Sequence, residues 1–242
     1  MAPSQNEELQ QNMPRPDITA PQRRPRLLAI DASSGQAGIA LYDGGALSVR
    51  SWPADRTHTA TMLREIHHLL DADHCSVADL VAIGLAQGPG AFTGLRVGFG
   101  IAKGFHLAAG VPLIGISTLK TAAYPFASCK GQVTAVIAAG RGRLVWARYR
   151  GDTKGIEEIT PPRNGNIQEL VLELRSHCPT IVTGELNDDQ EAMLQAIPSI
   201  VIPPPALRMR QPGALASLAW NRWQAGDFDD ATAVEPVYLS SE

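Results

Sequence analysis

From about residue 27 onward, short apolar runs alternate with stretches whose apolar residues recur at helical spacing. Leu27-Leu-Ala-Ile-Asp31 is one such run, and a Ser33-Ser-Gly-Gln-Ala-Gly38 turn leads from it into Ile39-Ala-Leu-Tyr42, which predicts two strands of a hairpin. Asp43-Gly-Gly45 turns the chain into a third strand, Ala46-Leu-Ser-Val-Arg50. From about Thr57 to Leu70, Met62, Leu63, Ile66, Leu69 and Leu70 line one side of a helix. A strand at Leu80–Leu85, a Gly-rich turn, a helix over about Gly94–Ala109, a strand at Pro112–Ile116 and a helix beginning near Thr118 follow.

At Gln132 the pattern restarts. Strands are expected at Val133–Ile137 and Leu144–Tyr149, with a weaker one around Ile156–Ile159. Asn166 is placed to cap a helix over Ile167–Ser176, and a strand at Thr180–Thr183, a helix at Gln190–Ala196, a strand at Ile200–Ile202 and a last helix over Gly213–Ala225 complete the chain. Both halves read βββαβαβα, offset by roughly 105 residues, which points to a duplicated unit and not to one continuous sheet. Parallel strands need long crossovers, so each half is expected to form a mixed sheet covered by helices. The predicted class is α/β, the duplicated two-lobe fold of actin, hexokinase and Hsp70 (ASKHA, ribonuclease H-like). The expected divisions are a Pro-rich tail over 1–25, a first lobe over 26–118, a second lobe over 119–210, and a C-terminal helix and tail over 211–242 that packs back on the first lobe.

Composition narrows the function. The 242 residues are 44% hydrophobic and 19% charged, with a formal net charge of −3. That balance argues against a chain that grips nucleic acid alone, because phosphate neutralisation requires clustered Lys and Arg. The three cysteines, Cys75, Cys129 and Cys178, form neither a disulfide framework nor a metal knuckle by spacing, and a reducing cytoplasm fits them. No apolar stretch has the length needed to span a bilayer and no charged-then-apolar leader opens the chain, so a cytoplasmic protein with no membrane contact is expected.

The most specific string is Gln87-Gly-Pro-Gly-Ala-Phe-Thr-Gly-Leu-Arg-Val-Gly-Phe-Gly-Ile-Ala-Lys-Gly104. With Leu28-Ala-Ile-Asp-Ala-Ser-Ser34 and Glu235-Pro-Val-Tyr-Leu239 it closely resembles the TsaB (YeaZ) family, accessory subunits of the bacterial tRNA threonylcarbamoyltransferase complex. The resemblance covers nearly all of Leu27–Leu239 and is weakest in the middle of the second lobe.

Physics reads the string as a tight Gly88-Pro-Gly90 turn after a strand, with Thr93 as the candidate N-cap of the next helix. Gly94, Gly98, Gly100 and Gly104 each cost about 1 kcal/mol relative to Ala inside a helix. Close approach of another backbone would offset that cost. Val97, Ile101, Phe105 and Ala108 form an apolar stripe, with Arg96 and Lys103 on another side. The approaching backbone belongs either to the same lobe or to a partner. The resemblance favours a partner, a related catalytic subunit (TsaD) met through the first two helices. It implies Met62, Ile66, Leu69, Thr93, Gly94, Arg96, Val97, Gly98 and Ile101 as interface residues.

The candidate chemistry is thin. Asp31, Ser33, Ser34 and Gly35 occupy the place of the first phosphate hairpin in a nucleotide-binding relative of this fold. The corresponding second-lobe turn, Ala138-Ala-Gly-Arg-Gly-Arg143, has no carboxylate, whereas TsaB relatives often carry Asp-Ala-Arg there. The first loop is therefore a candidate vestigial phosphate loop, or a structural turn capped by Asp31. His58, His67, His68, His74, His106 and His177 form neither a His-x-x-x-His nor a His-Glu-x-x-His metal pair, and no Gly-x-Ser-x-Gly elbow occurs. Trp220 and Trp223, three apart on a helix, suggest core packing more than base stacking.

No catalytic or metal-ligating residue is expected. The resemblance implies a non-catalytic partner that activates a TsaD-like enzyme for modification of adenosine 37 in tRNA. ATP, magnesium and metal would lie on partner subunits, a TsaE-like ATPase would be a third component, tRNA would be met through the complex, and a homodimer would form when the chain is alone. The competing readings are an independent small-molecule kinase or ATPase and a glycoprotease-like peptidase.

Overall fold

A computed structural model describes residues 24–54, 58–152, 155–175 and 179–238. The tail expected over 1–25 lies, up to residue 23, outside the described residues, as do Thr57, Ser176, His177, Cys178 and Leu239.

The first sheet contains β1 (Arg26–Asp31), β2 (Gln36–Tyr42), β3 (Leu47–Pro53), β4 (Leu80–Gly88) and β5 (Leu113–Ser117), in the order β3-β2-β1-β4-β5. β1, β2 and β3 pair antiparallel, while β4 runs parallel to both β1 and β5. The second sheet repeats this plan. β6 (Gln132–Ala138), β7 (Leu144–Asp152), β8 (Gly155–Glu158), β10 (Thr180–Gly184) and β11 (Ile200–Val201) lie in the order β11-β10-β6-β7-β8, so that β6, β7, β8, β10 and β11 match β1, β2, β3, β4 and β5. A short β9 (Arg163–Gly165), which the apolar pattern does not announce, pairs with β7.

Both faces of the first sheet are apolar because both are covered. Leu28 and Ile30 of β1 face one way, into a cluster with Met62, Ile66 and Leu69 of α1 (His58–Ala72) and Phe99 and Ala102 of α2 (Phe92–Ala109). Leu27 and Ala29 face the other way, against Leu215, Ala216 and Ala219 of the C-terminal helix, which spans Pro212–Gln224. That second cluster continues into Val133, Ala135 and Tyr149 of the second sheet, so one apolar core joins the two sheets. α3 (Thr118–Ala123), capped by the Ser117 hydroxyl, packs between the sheets.

The second sheet's other face is covered by α4 (Ile167–Arg175) and α5 (Asp188–Gln195), through Leu170, Leu174 and Leu194. Asn166 and Asn187 accept the orphan amides at the starts of these helices. A single turn, α6 (Pro205–Arg208), precedes the C-terminal helix, here α7 (Pro212–Gln224). Among the described residues, no helix is long and apolar enough to cross a membrane.

α2 begins at Phe92, with Ala91 as its N-cap and no side-chain cap hydrogen bond, so Thr93 is not the cap. The start is held by the backbone instead, where the Ala91 amide donates to the Ser33 carbonyl at 2.8 Å. Two residues further into the helix, Gly94 meets that same turn: an added Cβ would collide with the Ala32 carbonyl. Nothing lies within 4 Å of an added Cβ at Gly104. These neighbours set opposite expectations for one substitution. Gly94→Ala is expected to destabilise the chain by about 1–3 kcal/mol through overpacking, while Gly104→Ala stabilises it by up to about 1 kcal/mol through helix propensity. Urea unfolding of the two variants checks both signs.

Candidate functional site

α1 and α2 lie side by side on the first sheet, and between their outer sides runs an open groove of about 810 Å³. Leu63 of α1 forms one wall. Phe92, Thr93, Arg96 and Val97 line the first turns of α2, and Gly100, Ile101, Gly104 and Phe105 continue the lining along it. The missing side chains of Gly100 and Gly104 make the groove's floor, since an added Cβ at either would meet nothing within 4 Å. Two glycines inside a helix are unfavourable for an isolated chain. Here they leave room for another backbone to come close.

The residues expected at an interface divide into two groups. Thr93, Arg96 and Val97 line the groove, and Ile101 reaches it while remaining buried. Met62, Ile66 and Leu69 do not: they are 0, 1 and 3% exposed, and their stripe faces the sheet and holds α1 in place. The side of α1 that borders the groove is marked by exposed Leu63. Gly94 and Gly98 also point inward, Gly94 against the β1–β2 turn and Gly98 towards Ile30, whose Cγ2 is 3.8 Å from an added Cβ. The close approach predicted from the glycines occurs within the lobe at Gly94, whereas Gly100 and Gly104 face open space. Phe92, half exposed and the first residue of α2, belongs to the groove and was missed because the sequence placed the helix start two residues later. Val97, Ile101 and Phe105 line the groove while also packing against the core, in which Ile101 is buried beside Leu95, Gly98, Phe99 and Ala102.

The candidate phosphate loop lies in the cleft between the lobes, and its acid is already engaged. Asp31 is buried, and its Oδ1 accepts from the Ser33 amide and hydroxyl at 2.9 and 2.7 Å. Arg210, 179 residues away in sequence, donates from Nε to Asp31 Oδ2 at 3.0 Å. It also donates from Nη2 to Ser33 Oγ at 3.0 Å. Its Nη1 lies 3.3 Å from Glu185 Oε1, and its side chain is only 3% exposed. Ser34 turns its hydroxyl to the Gln36 carbonyl, while Gly35 lines the mouth of a small cleft of about 300 Å³ with Gly184, Arg208 and Arg210.

Glu185 is a residue the sequence reading missed. The β6–β7 turn at Ala138–Arg143 indeed supplies no acid, but Glu185, just past β10, reaches the same place and accepts from the Ala138 amide at 3.0 Å. The fold therefore presents one carboxylate from each lobe, with the Arg210 guanidinium between them. A cation at Asp31 would have to displace that guanidinium. Among the described residues no group of three or more His, Cys, Asp or Glu side chains could hold a metal ion.

Burial pushes the Glu185 carboxyl above the ordinary glutamate value, against the opposing pull of Arg210. A folded state that binds a proton more tightly than the unfolded chain has that contribution in full below the unfolded value, and loses it as pH rises through the raised value. Glu185→Gln is therefore expected to flatten the fall in stability with rising pH above about pH 4.5, read from urea unfolding across that range. Arg210→Met, which strands the buried Asp31 carboxylate, is expected to destabilise by about 3–5 kcal/mol at neutral pH.

Comparisons with known proteins identify the family and the fold. The family profile described as "TsaD: tRNA N6-adenosine threonylcarbamoyltransferase" matches residues 52–200. The Escherichia coli protein named tRNA threonylcarbamoyladenosine biosynthesis protein TsaB is 34% identical over 167 residues, 66% of this chain and 71% of that protein. A Bacillus subtilis protein of the same name is 28% identical over 139 residues, covering 57% of this chain and 61% of its own length. The solved structure "YeaZ from Pseudomonas aeruginosa" superposes with a TM-score of 0.73 at 23% identity, over 89% of this chain and 100% of that one, and so shares its fold. The match of a transferase profile to well over half the chain, together with the TsaB relatives, settles the family: the chain belongs to the TsaB (YeaZ) proteins, within the wider TsaD family.

Proposed function

We propose that this chain serves in the biosynthesis of threonylcarbamoyladenosine in tRNA as a non-catalytic subunit, docking a TsaD-like transferase of related fold in the α1–α2 groove. One observation carries this reading. In a chain of this family, whose cleft acid is consumed by Arg210, the large open feature is an apolar groove floored by Gly100 and Gly104. A groove lined mainly by apolar side chains and bare helix backbone, with Thr93 and Arg96 at one end, suits a packed helix. The partner's similarity to this chain makes pairing of equivalent helices geometrically natural, as in two-fold assemblies.

On this reading the chemistry belongs elsewhere. The transferase supplies the active site and any metal, a TsaE-like ATPase supplies nucleotide turnover, and tRNA is held by the assembled complex in the cytoplasm. The net charge of −3 supports this assignment, since the chain has no surplus of basic residues with which to bind tRNA alone. A homodimer through the same groove forms only in the absence of the transferase.

Filling the groove tests the reading. Gly100→Leu adds a side chain where the fold leaves open space, so the isolated variant is expected to keep its circular dichroism spectrum and melting temperature. When co-expressed with the TsaD-like protein of the same organism, wild type is expected to co-elute and Gly100→Leu to elute alone. Loss of threonylcarbamoyladenosine should follow in tRNA digests analysed by mass spectrometry. Failure of the wild type to associate, or unimpaired association of the folded variant, overturns the proposal.

A further inference from the structure

The groove carries charge of one sign. α2 spans 18 residues and contains Arg96, Lys103 and His106 with no acidic residue. Arg96 is exposed, and among the described residues it makes no ion pair with a carboxylate; instead its guanidinium carbon lies 4.0 Å above the centroid of the Phe92 ring. Phe92 is in turn packed by Tyr238, ring centroids 5.1 Å apart and planes 39° to each other. The result is a stack of three planar groups at the N-terminal end of the groove.

Tyr238 comes from the far end of the sequence and is held there by backbone. The Val237 amide donates to the Gln87 carbonyl at 2.7 Å, and the Gln87 side-chain amide donates to the Glu235 carbonyl at 3.2 Å. Val234 is buried in the core beneath α1 and α2. The C-terminal strap thus fixes Tyr238, which supports Phe92, which orients Arg96. Held on an aromatic face, a guanidinium gives up less rotamer freedom on forming a further bond than a freely moving one.

We propose that Arg96, presented on the Phe92–Tyr238 stack, selects the partner: it takes a carboxylate from the facing helix of a different subunit and disfavours a second copy of this chain. The inference rests on the docking reading above and adds what distinguishes the two occupants. Two copies packed through this groove would bring their Arg96 side chains into the same site, with no acid on α2 to neutralise them, while Glu65 and Asp71 of α1 already face Arg50, Arg64 and His67. A partner helix that carries Asp or Glu opposite Arg96 meets no such repulsion and gains a charge-assisted pair in a site that is otherwise apolar. Like-charge juxtaposition of this kind is how specificity is obtained against self-association.

The full chain, its Arg96→Gln and Tyr238→Ala variants and the TsaD-like subunit provide the test. Affinity for the partner is measured by calorimetry at low and high salt, and self-association by sedimentation velocity. Arg96→Gln is expected to weaken the mixed complex by about tenfold and to flatten its salt dependence, while self-association tightens. Tyr238→Ala, which leaves the charge in place, is expected to weaken the mixed complex by a smaller factor, about threefold, with salt dependence retained. If Arg96→Gln leaves the mixed affinity unchanged while Gly100→Leu abolishes it, the groove docks the partner and the selection by charge is wrong. If neither substitution changes the mixed affinity, the docking reading falls with it. Equal weakening of mixed and self-association by Arg96→Gln also overturns the proposal.

Discussion

The contact of α7 with the first sheet is the constraint on which the other features depend. Helix and sheet approach very closely there, and the sheet provides for it with glycine. A Cβ at Gly84 would sit 2.5 Å from that of Ala219, and one at Gly38 would collide with the ring of Pro212 at the start of the helix. That docking fixes both ends of α7. Two residues before Pro212, Arg210 is delivered into the cleft at Asp31. In the last turn of the helix, Arg222 binds Asp227 and Asp229 and donates to the Gly115 carbonyl at 2.9 Å, and Asp229 accepts the Gly115 amide at 2.6 Å, so the chain is tied to β5 before it runs on to Val234 and Tyr238. The cleft and the groove lie on different sides of the first lobe, yet the placement of both traces to one helix.

Charge is handled in opposite ways at the two places. In the cleft, Arg210 satisfies Asp31 and faces Glu185, so the lobes are joined by an internal cation where a nucleotide-dependent relative of the fold would need an external one. Buried ion pairs of this sort add little net stability over an apolar substitute, but removing one member is expensive. They are therefore effective at fixing an arrangement. In the groove, by contrast, Arg96 is left without a carboxylate among the described residues and is merely oriented.

The sequence made most of the architecture legible, because two-residue and helical periodicities survive in nearly every element and because the order of elements repeats. It was less informative about direction. The spacing of Met62, Ile66 and Leu69 defines one face of α1 but does not say whether sheet or partner lies against it, and burial answers sheet. α2 is apolar over a wide arc, and the stripe through Val97, Ile101 and Phe105 lies where the core meets the groove. Glu185 was invisible for another reason. A carboxylate was sought in the β6–β7 turn, whereas the sheet order sets β10 beside β6 and brings Glu185 to the Ala138 amide from a different crossover. Arg210 joins Asp31 across 179 residues, a pairing that local pattern does not encode. Short β9 and α6 contribute too few residues to show a period.

The covering of the first sheet by α7 also orders events in time. All five strands of that sheet have been synthesised by Ser117, but the helix that covers Leu27, Ala29 and Ala82 begins only at Pro212. At roughly 5–20 residues per second, translation leaves this apolar face without α7 for about 5–20 s. The first lobe is thus contiguous in sequence as a sheet, but the helix that covers it follows the second lobe in the chain. Over that interval the face that α7 will occupy has no part of that helix to pack against.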